Sequence, residues 1–136
     1  MNFLTILFCA IAGMVVGFIW YGPLFGKVWM RVMGHDGPKP TKEEMKEMNK
    51  KMMPTYILQF LLIILQVWIL KFFLDLGISD PIHVAFGIWL GFIMPTVAGI
   101  AMWSGKSRKL TWAMFLTSAG FQLVSIIVFT LIIGAF

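Results

Sequence analysis

Apolar residues run almost unbroken through four stretches, about 2–22, 55–76, 81–103 and 110–135. At 1.5 Å of rise per residue, each is long enough to cross a hydrocarbon core of roughly 30 Å. Lys71 and Asp75, near one end of the second stretch, are the only charges inside any of them. The pattern predicts an all-α chain: one transmembrane domain over residues 1–136, built as a four-helix membrane bundle, with an interfacial segment at about 23–54.

Between the stretches, polar and helix-breaking residues set expectations for each connection. Trp20 and Tyr21 arrive where the first helix is due to meet lipid head groups, and amphipathic rings favour that depth. Gly22-Pro23 is expected to break the helix there, because proline lacks an N–H and restricts the residue before it. After the break, Phe25, Val28, Trp29 and Val32 read as a membrane-facing stripe, with Lys27 and Arg31 turned to phosphates. Trp103 and Trp112 complete the expected set of interfacial anchors. Thr41-Lys42-Glu43-Glu44 has the form of a capping box. It opens a short helix to about Met53 on which Met45, Met48 and Met52 make an apolar stripe, lying on the membrane or on the protein's own surface. In the connection between the second and third stretches, Gly77 suits a helix C-terminus, Asp80 an N-cap and Pro81 a first helical turn. Gly105 and Ser107 punctuate the next connection in the same way.

Composition supports a lipid environment. Hydrophobic residues make up 60% of the 136 and charged residues 12%, against roughly 45–50% and about 25% in soluble domains. The net charge of +5 does not point to nucleic acid, because Lys27, Arg31, Lys39, Lys42, Lys46, Lys50 and Lys51 crowd one connection and Lys106, Arg108 and Lys109 another. The positive-inside rule makes both connections cytoplasmic and both termini external, against anionic head groups of an inner membrane. Ala10-Ile11-Ala12 resembles a signal-peptidase site, yet no basic residue precedes it and the apolar run continues past it, so cleavage is not expected. Cys9, the single cysteine, is expected to be a buried structural thiol.

Gly13-Met14-Val15-Val16-Gly17-Phe18-Ile19 recurs as Gly87-Ile88-Trp89-Leu90-Gly91-Phe92-Ile93, both fitting G-x-x-x-G-F-I. Glycines four apart share a helix face and admit another backbone, so Gly13, Gly17, Gly87 and Gly91 are expected helix-packing positions, within the chain or in a homo-oligomer. Tyr56 and Gln66 also have nine residues between them, as do Trp112 and Gln122. The chain therefore reads as two helical hairpins in parallel repeat, an arrangement known among transporters.

Polar side chains inside the bilayer are where chemistry is expected. Gln59 and Gln66 share one face of the second stretch, and Ser118, Gln122 and Ser125 one face of the fourth. Pro95 frees the carbonyl of Gly91, with Thr96 adjacent. These six polar residues form the candidate intramembrane site, whose alternative reading is interhelical glue. Lys71 and Asp75 are expected to pair at i, i+4. His83 reads as an interfacial imidazole. His35-Asp36 lacks the further ligands a metal site needs. With no acid–base pair, nucleophile motif or phosphate loop, no enzymatic activity and no cofactor are expected.

Trp20-Tyr21-Gly22-Pro23-Leu24-Phe25-Gly26-Lys27-Val28-Trp29-Met30, at the end of a first membrane helix, resembles the signature of the integral-membrane family catalogued as domain of unknown function 1761. The resemblance implies a small bacterial or archaeal-type four-helix membrane protein and carries no reaction or substrate. From the bundle and its intramembrane polar residues, the expectation is a transport or permeation unit for a small solute. An accessory protein binding a partner through its amphipathic helix is the alternative.

Overall fold

The structure is a computed structural model and describes residues 2–34, 37 and 41–136. His35-Asp36, considered above for metal, lies outside the described residues. The elements are α1 (Phe3–Ile19), a widened π turn over Trp20–Leu24, α2 (Gly26–Val32), α3 (Lys42–Asp75), α4 (Pro81–Ile88), a second π turn over Trp89–Ile93, α5 (Met94–Met102) and α6 (Arg108–Ala135). Joined through the π turns, they make four helical spans, each long and apolar enough to cross a membrane. Many large apolar side chains face outward, Phe92 at 76% exposure and Trp68 at 65%. An outward surface of this kind suits hydrocarbon far better than water.

The ends of the spans follow the chain's polar punctuation. Asn2 accepts from the Leu4 N–H and caps α1, and Ser107 accepts from the Leu110 N–H and caps α6. The capping box forms as expected: Thr41 Oγ1 accepts from the Glu44 N–H, and Glu44 accepts from the Thr41 N–H. Gly77 and Gly105 have φ of +65° and +74°, the left-handed conformation that ends a helix without a Cβ penalty. Lys71 pairs with Asp75. Asp80 holds the N-cap position of α4 without a capping bond; its carboxylate stands 3.4 Å from Nδ1 of the exposed His83 instead.

Three local expectations are corrected. Gly22-Pro23 does not break the first span. The chain continues through an i→i+5 bond from Phe25 N–H to the Trp20 carbonyl, so the turn widens to accommodate the missing proline N–H, and the break falls at Phe25. The amphipathic segment does not stop at Met53. It is the first part of α3, which runs 34 residues through Pro54, about 51 Å at the usual rise. Met45, Met48 and Met52 are therefore on a projecting arm, all exposed, rather than resting on the protein's own surface. The third correction concerns the glycine pairs. A Cβ on Gly13 would stand 3.0 Å from Ile63 and Phe129, and one on Gly17 would touch Phe121, whereas Gly87 and Gly91 have nothing within 4 Å. The two motifs also differ in backbone, since the π turn follows the motif in the first span and lies within it in the third.

α1 and α6 are the central pair. α3 packs along α1 and meets the third span over α4, while α5 packs on α6. α3 and α5 thus diverge toward the end of the bundle that carries Lys27, Lys51 and Lys106, here called the basic end. The opposite half is closed by small residues: Cys9, Ala10 and Ala85 are fully buried and let Ile63, Val67, Leu70, Ile126 and Phe129 interlock. Cys9 is the buried thiol expected, donating to the Phe129 carbonyl at 3.9 Å.

Two indoles tie α6 to the spans on either side. Trp20 Nε1–H donates to the Thr117 carbonyl at 2.9 Å, and Trp89 Nε1–H to the Ala119 carbonyl at 2.9 Å. Gly120 makes the first approach feasible, since a Cβ there would lie 2.9 Å from the Trp20 ring. Trp20, expected as a lipid-facing anchor, is thus turned inward. Tyr21 and Trp29 are likewise partly buried, 4.8 Å apart between ring centroids, because α2 folds back on α6 and buries Val32. Trp103 and Trp112 do face outward. Replacing either clamp, Trp20→Phe or Trp89→Phe, is expected to lower stability by about 1–2 kcal/mol through the lost donor and ring contacts. Thermal unfolding in detergent measures it, and an unchanged midpoint for both variants removes the clamp from the account.

Candidate functional site

The divergence of α3 leaves two clefts that share a wall. The larger, about 660 Å³, lies between α1, α3 and α6 at the basic end, lined by Tyr21, Trp29, Thr55, Tyr56, Gln59 and Gln122 among others. The smaller, about 300 Å³, lies between α3, α4 and α6 in the other half. Its wall is apolar, including Leu65, Ile69, Phe73 and Ile93, except for Gln66 and Gln122.

Between them is a neck of about 10 Å³ lined by Gln59, Gln66, Gln122 and Ser125 with Gly13 and Phe129. That is close to the room needed for a single water molecule. Gln122 borders all three spaces, Gln59 the neck and the larger cleft, and Gln66 the neck and the smaller one. Helical spacing explains the arrangement. Gln59 and Gln66 are seven residues apart on α3 and Gln122 and Ser125 three apart on α6, so each pair projects from one helix face toward the gap.

Four of the six expected polar residues are therefore brought together. The other two are not. Thr96 is exposed on α5 and donates its hydroxyl to the Phe92 carbonyl at 2.6 Å, supporting its own helix where Pro95 leaves the ladder incomplete. Ser118 stands beside Tyr21. Ser125 is 4% exposed, and among the described residues its Oγ is the one buried side-chain polar atom without a hydrogen-bond partner. The buried hydroxyl of Thr130, by contrast, donates to the Ile126 carbonyl of its own helix. Ser125 is left free to bond whatever enters the neck.

Sequence reasoning missed Thr55, Tyr56 and Tyr21 as cleft residues and Trp89 as a clamp. Thr55 and Tyr56 lie on the same face of α3 as Gln59 or next to it, which is the signal that was available. Nothing in the sequence distinguishes an indole that bonds a neighbouring carbonyl from one that bonds head groups. The site bears no charged side chain among the lining residues described, so it suits hydrogen bonding rather than ion pairing.

Ser125→Ala removes a buried hydroxyl that has no partner, and is expected to leave stability unchanged or raise it by about 1 kcal/mol. A thermal melt beside the native protein checks this, and a clear loss of stability shows that the hydroxyl is bonded in the folded chain.

No curated protein and no solved structure matches the chain. A family model described as Protein of unknown function (DUF1761) matches residues 4–134. That match spans all four helices, the clefts and the neck, and the chain belongs to this family.

Proposed function

We propose that the protein is a small permeation or transport unit, without enzymatic activity, in an inner-type membrane. The observation that carries this reading is the pair of clefts meeting at a water-sized neck lined by three amides and a hydroxyl. A bundle held only by interhelical polar glue has its amides bonded across tightly packed faces. Here Gln59 and Gln66 are exposed to the clefts and make no hydrogen bond to another side chain among those described. The basic residues around the larger cleft favour a cytoplasmic mouth by the positive-inside rule, with both termini external. Self-association through the open Gly87–Gly91 face, where a backbone can approach closely, belongs to the same reading.

A labelling experiment tests it. Single cysteines are placed at Gln59, Gln122 and Phe92 in a Cys9→Ala background and exposed to a membrane-impermeant maleimide from either side of sealed vesicles. Gln59→Cys is expected to react from the basic side, Gln122→Cys more slowly from that side, and Phe92→Cys, on the outward surface, from neither. If Gln59→Cys and Gln122→Cys are unreactive from both sides, the clefts are dry and the reading fails.

A second reading has its own observation, the projecting methionine arm of α3. A flexible, polarizable methionine stripe adapts to apolar partners, which favours an accessory protein that docks another protein there. Converting Met45, Met48 and Met52 together to Ser is then expected to release a protein that co-purifies with the native chain. Undiminished co-purification defeats this reading.

A further inference from the structure

We propose that the smaller cleft and the neck behind it form a binding site for a neutral, single-chain lipid with a single hydroxyl head, of the class of long-chain alcohols. Three features converge on that occupant. The cleft wall is hydrocarbon along its length, with Ile69, Phe73 and Ile93 at its sides. Leu65, Ile69 and Phe73 on its α3 edge are exposed, so its flank faces the same surroundings as the outward apolar surface, and a lipid tail in such surroundings enters sideways. Its polarity is confined to one end, where Gln66 and Gln122 stand beside the buried, unpartnered hydroxyl of Ser125.

Size and charge select the head. The neck of about 10 Å³ admits a group no larger than a water or a hydroxyl. A phosphate is too bulky for it. Among the described residues, no charged side chain lines the cleft or the neck, so a carboxylate or ammonium would lose its hydration without gaining a counter-charge. A hydroxyl both donates and accepts. An amide oxygen of Gln66 or Gln122 accepts a hydrogen bond from its O–H, and amide N–H groups or the Ser125 hydroxyl donate to its oxygen. An alkane has no use for these groups, and covering them with hydrocarbon leaves them unsatisfied.

The inference goes beyond the permeation reading and does not depend on it. If lipid binds and the cysteines stay unlabelled, the cleft is a lipid site without a through-path. If labelling proceeds and no lipid binds, the passage serves another solute and this inference falls alone.

The test uses the full chain in phosphatidylcholine nanodiscs with a diazirine analogue of oleyl alcohol as the photoprobe. Cross-links are mapped by peptide mass spectrometry, with oleyl alcohol, oleate and octadecane as competitors. Labelling is expected on Ile69, Phe73 and Ile93, and oleyl alcohol is expected to compete about tenfold better than octadecane or ionised oleate. Ile69→Trp is expected to block labelling by filling the cleft. Ser125→Ala, which leaves the bundle at least as stable, is expected to weaken competition by oleyl alcohol about tenfold while leaving octadecane unaffected. This keeps the test decisive should Ile69→Trp fold poorly. Labels spread evenly over outward residues such as Phe92 and Leu131 overturn the site. Octadecane or oleate competing as well as the alcohol overturns the head-group assignment.

Discussion

The single hydrogen on each of two indole nitrogens governs how these helices meet. Trp20 and Trp89 give theirs to the Thr117 and Ala119 carbonyls, two residues apart on α6. In hydrocarbon no water competes for such donors, and a polar hydrogen left without an acceptor is costly. Helix carbonyls have a second lone pair, so α6 accepts both bonds without giving up its own ladder. Each indole also begins a π turn. The widened backbone and the ring that leaves it are therefore one feature, repeated on two spans and aimed at one stretch of a third.

Pinned at that level, the bundle is more closely packed on one side of the clamp, where only the smaller cleft opens between α3, α4 and α6, than on the other. Cys9, Ala10 and Ala85 let backbones approach in the dense half. In the other half, bulky residues such as Phe18, Tyr21 and Tyr56 stand between α1, α3 and α6 and line an opening instead of closing it. Apolar burial gives little drive for helices to associate inside lipid, so contact depends on which side chains permit close approach. Gln59, Gln66, Gln122 and Ser125 sit where the dense half gives way to the loose one, which is why they border cavities and do not simply bond one another.

The chain's periodicities made some of this legible and left the rest hidden. Four apolar runs sufficed for four spans, and Thr41 with Glu44, Gly77, Gly105 and the Lys71–Asp75 pair were read correctly because each depends on neighbours within one helical turn. Gly22-Pro23 misled because proline disrupts a helical ladder in more than one way, and a π turn absorbs the lost bond without ending the helix. Trp20 misled because its depth suits head groups and its inward orientation depends on Gly120, distant in sequence. Gly87 and Gly91 carry the same motif as Gly13 and Gly17, yet whether such a face is filled depends on a neighbour the motif does not name. Of the candidate site, helical spacing identified the glutamine and serine faces. Whether α3 and α6 press those faces together or hold them apart is a tertiary matter, and so are the volumes between them.

The uninterrupted course of α3 makes it a lever. Its last buried residue toward the free end is Ile63, about 27 Å along the axis from Met45 but only about 6 Å from Gln59 at the usual rise per residue. A sideways push of about 5 Å on the free end therefore swings Gln59 by about 1 Å at the border of the larger cleft and the neck. Pro54, one backbone bond short, sets how stiffly that push is delivered.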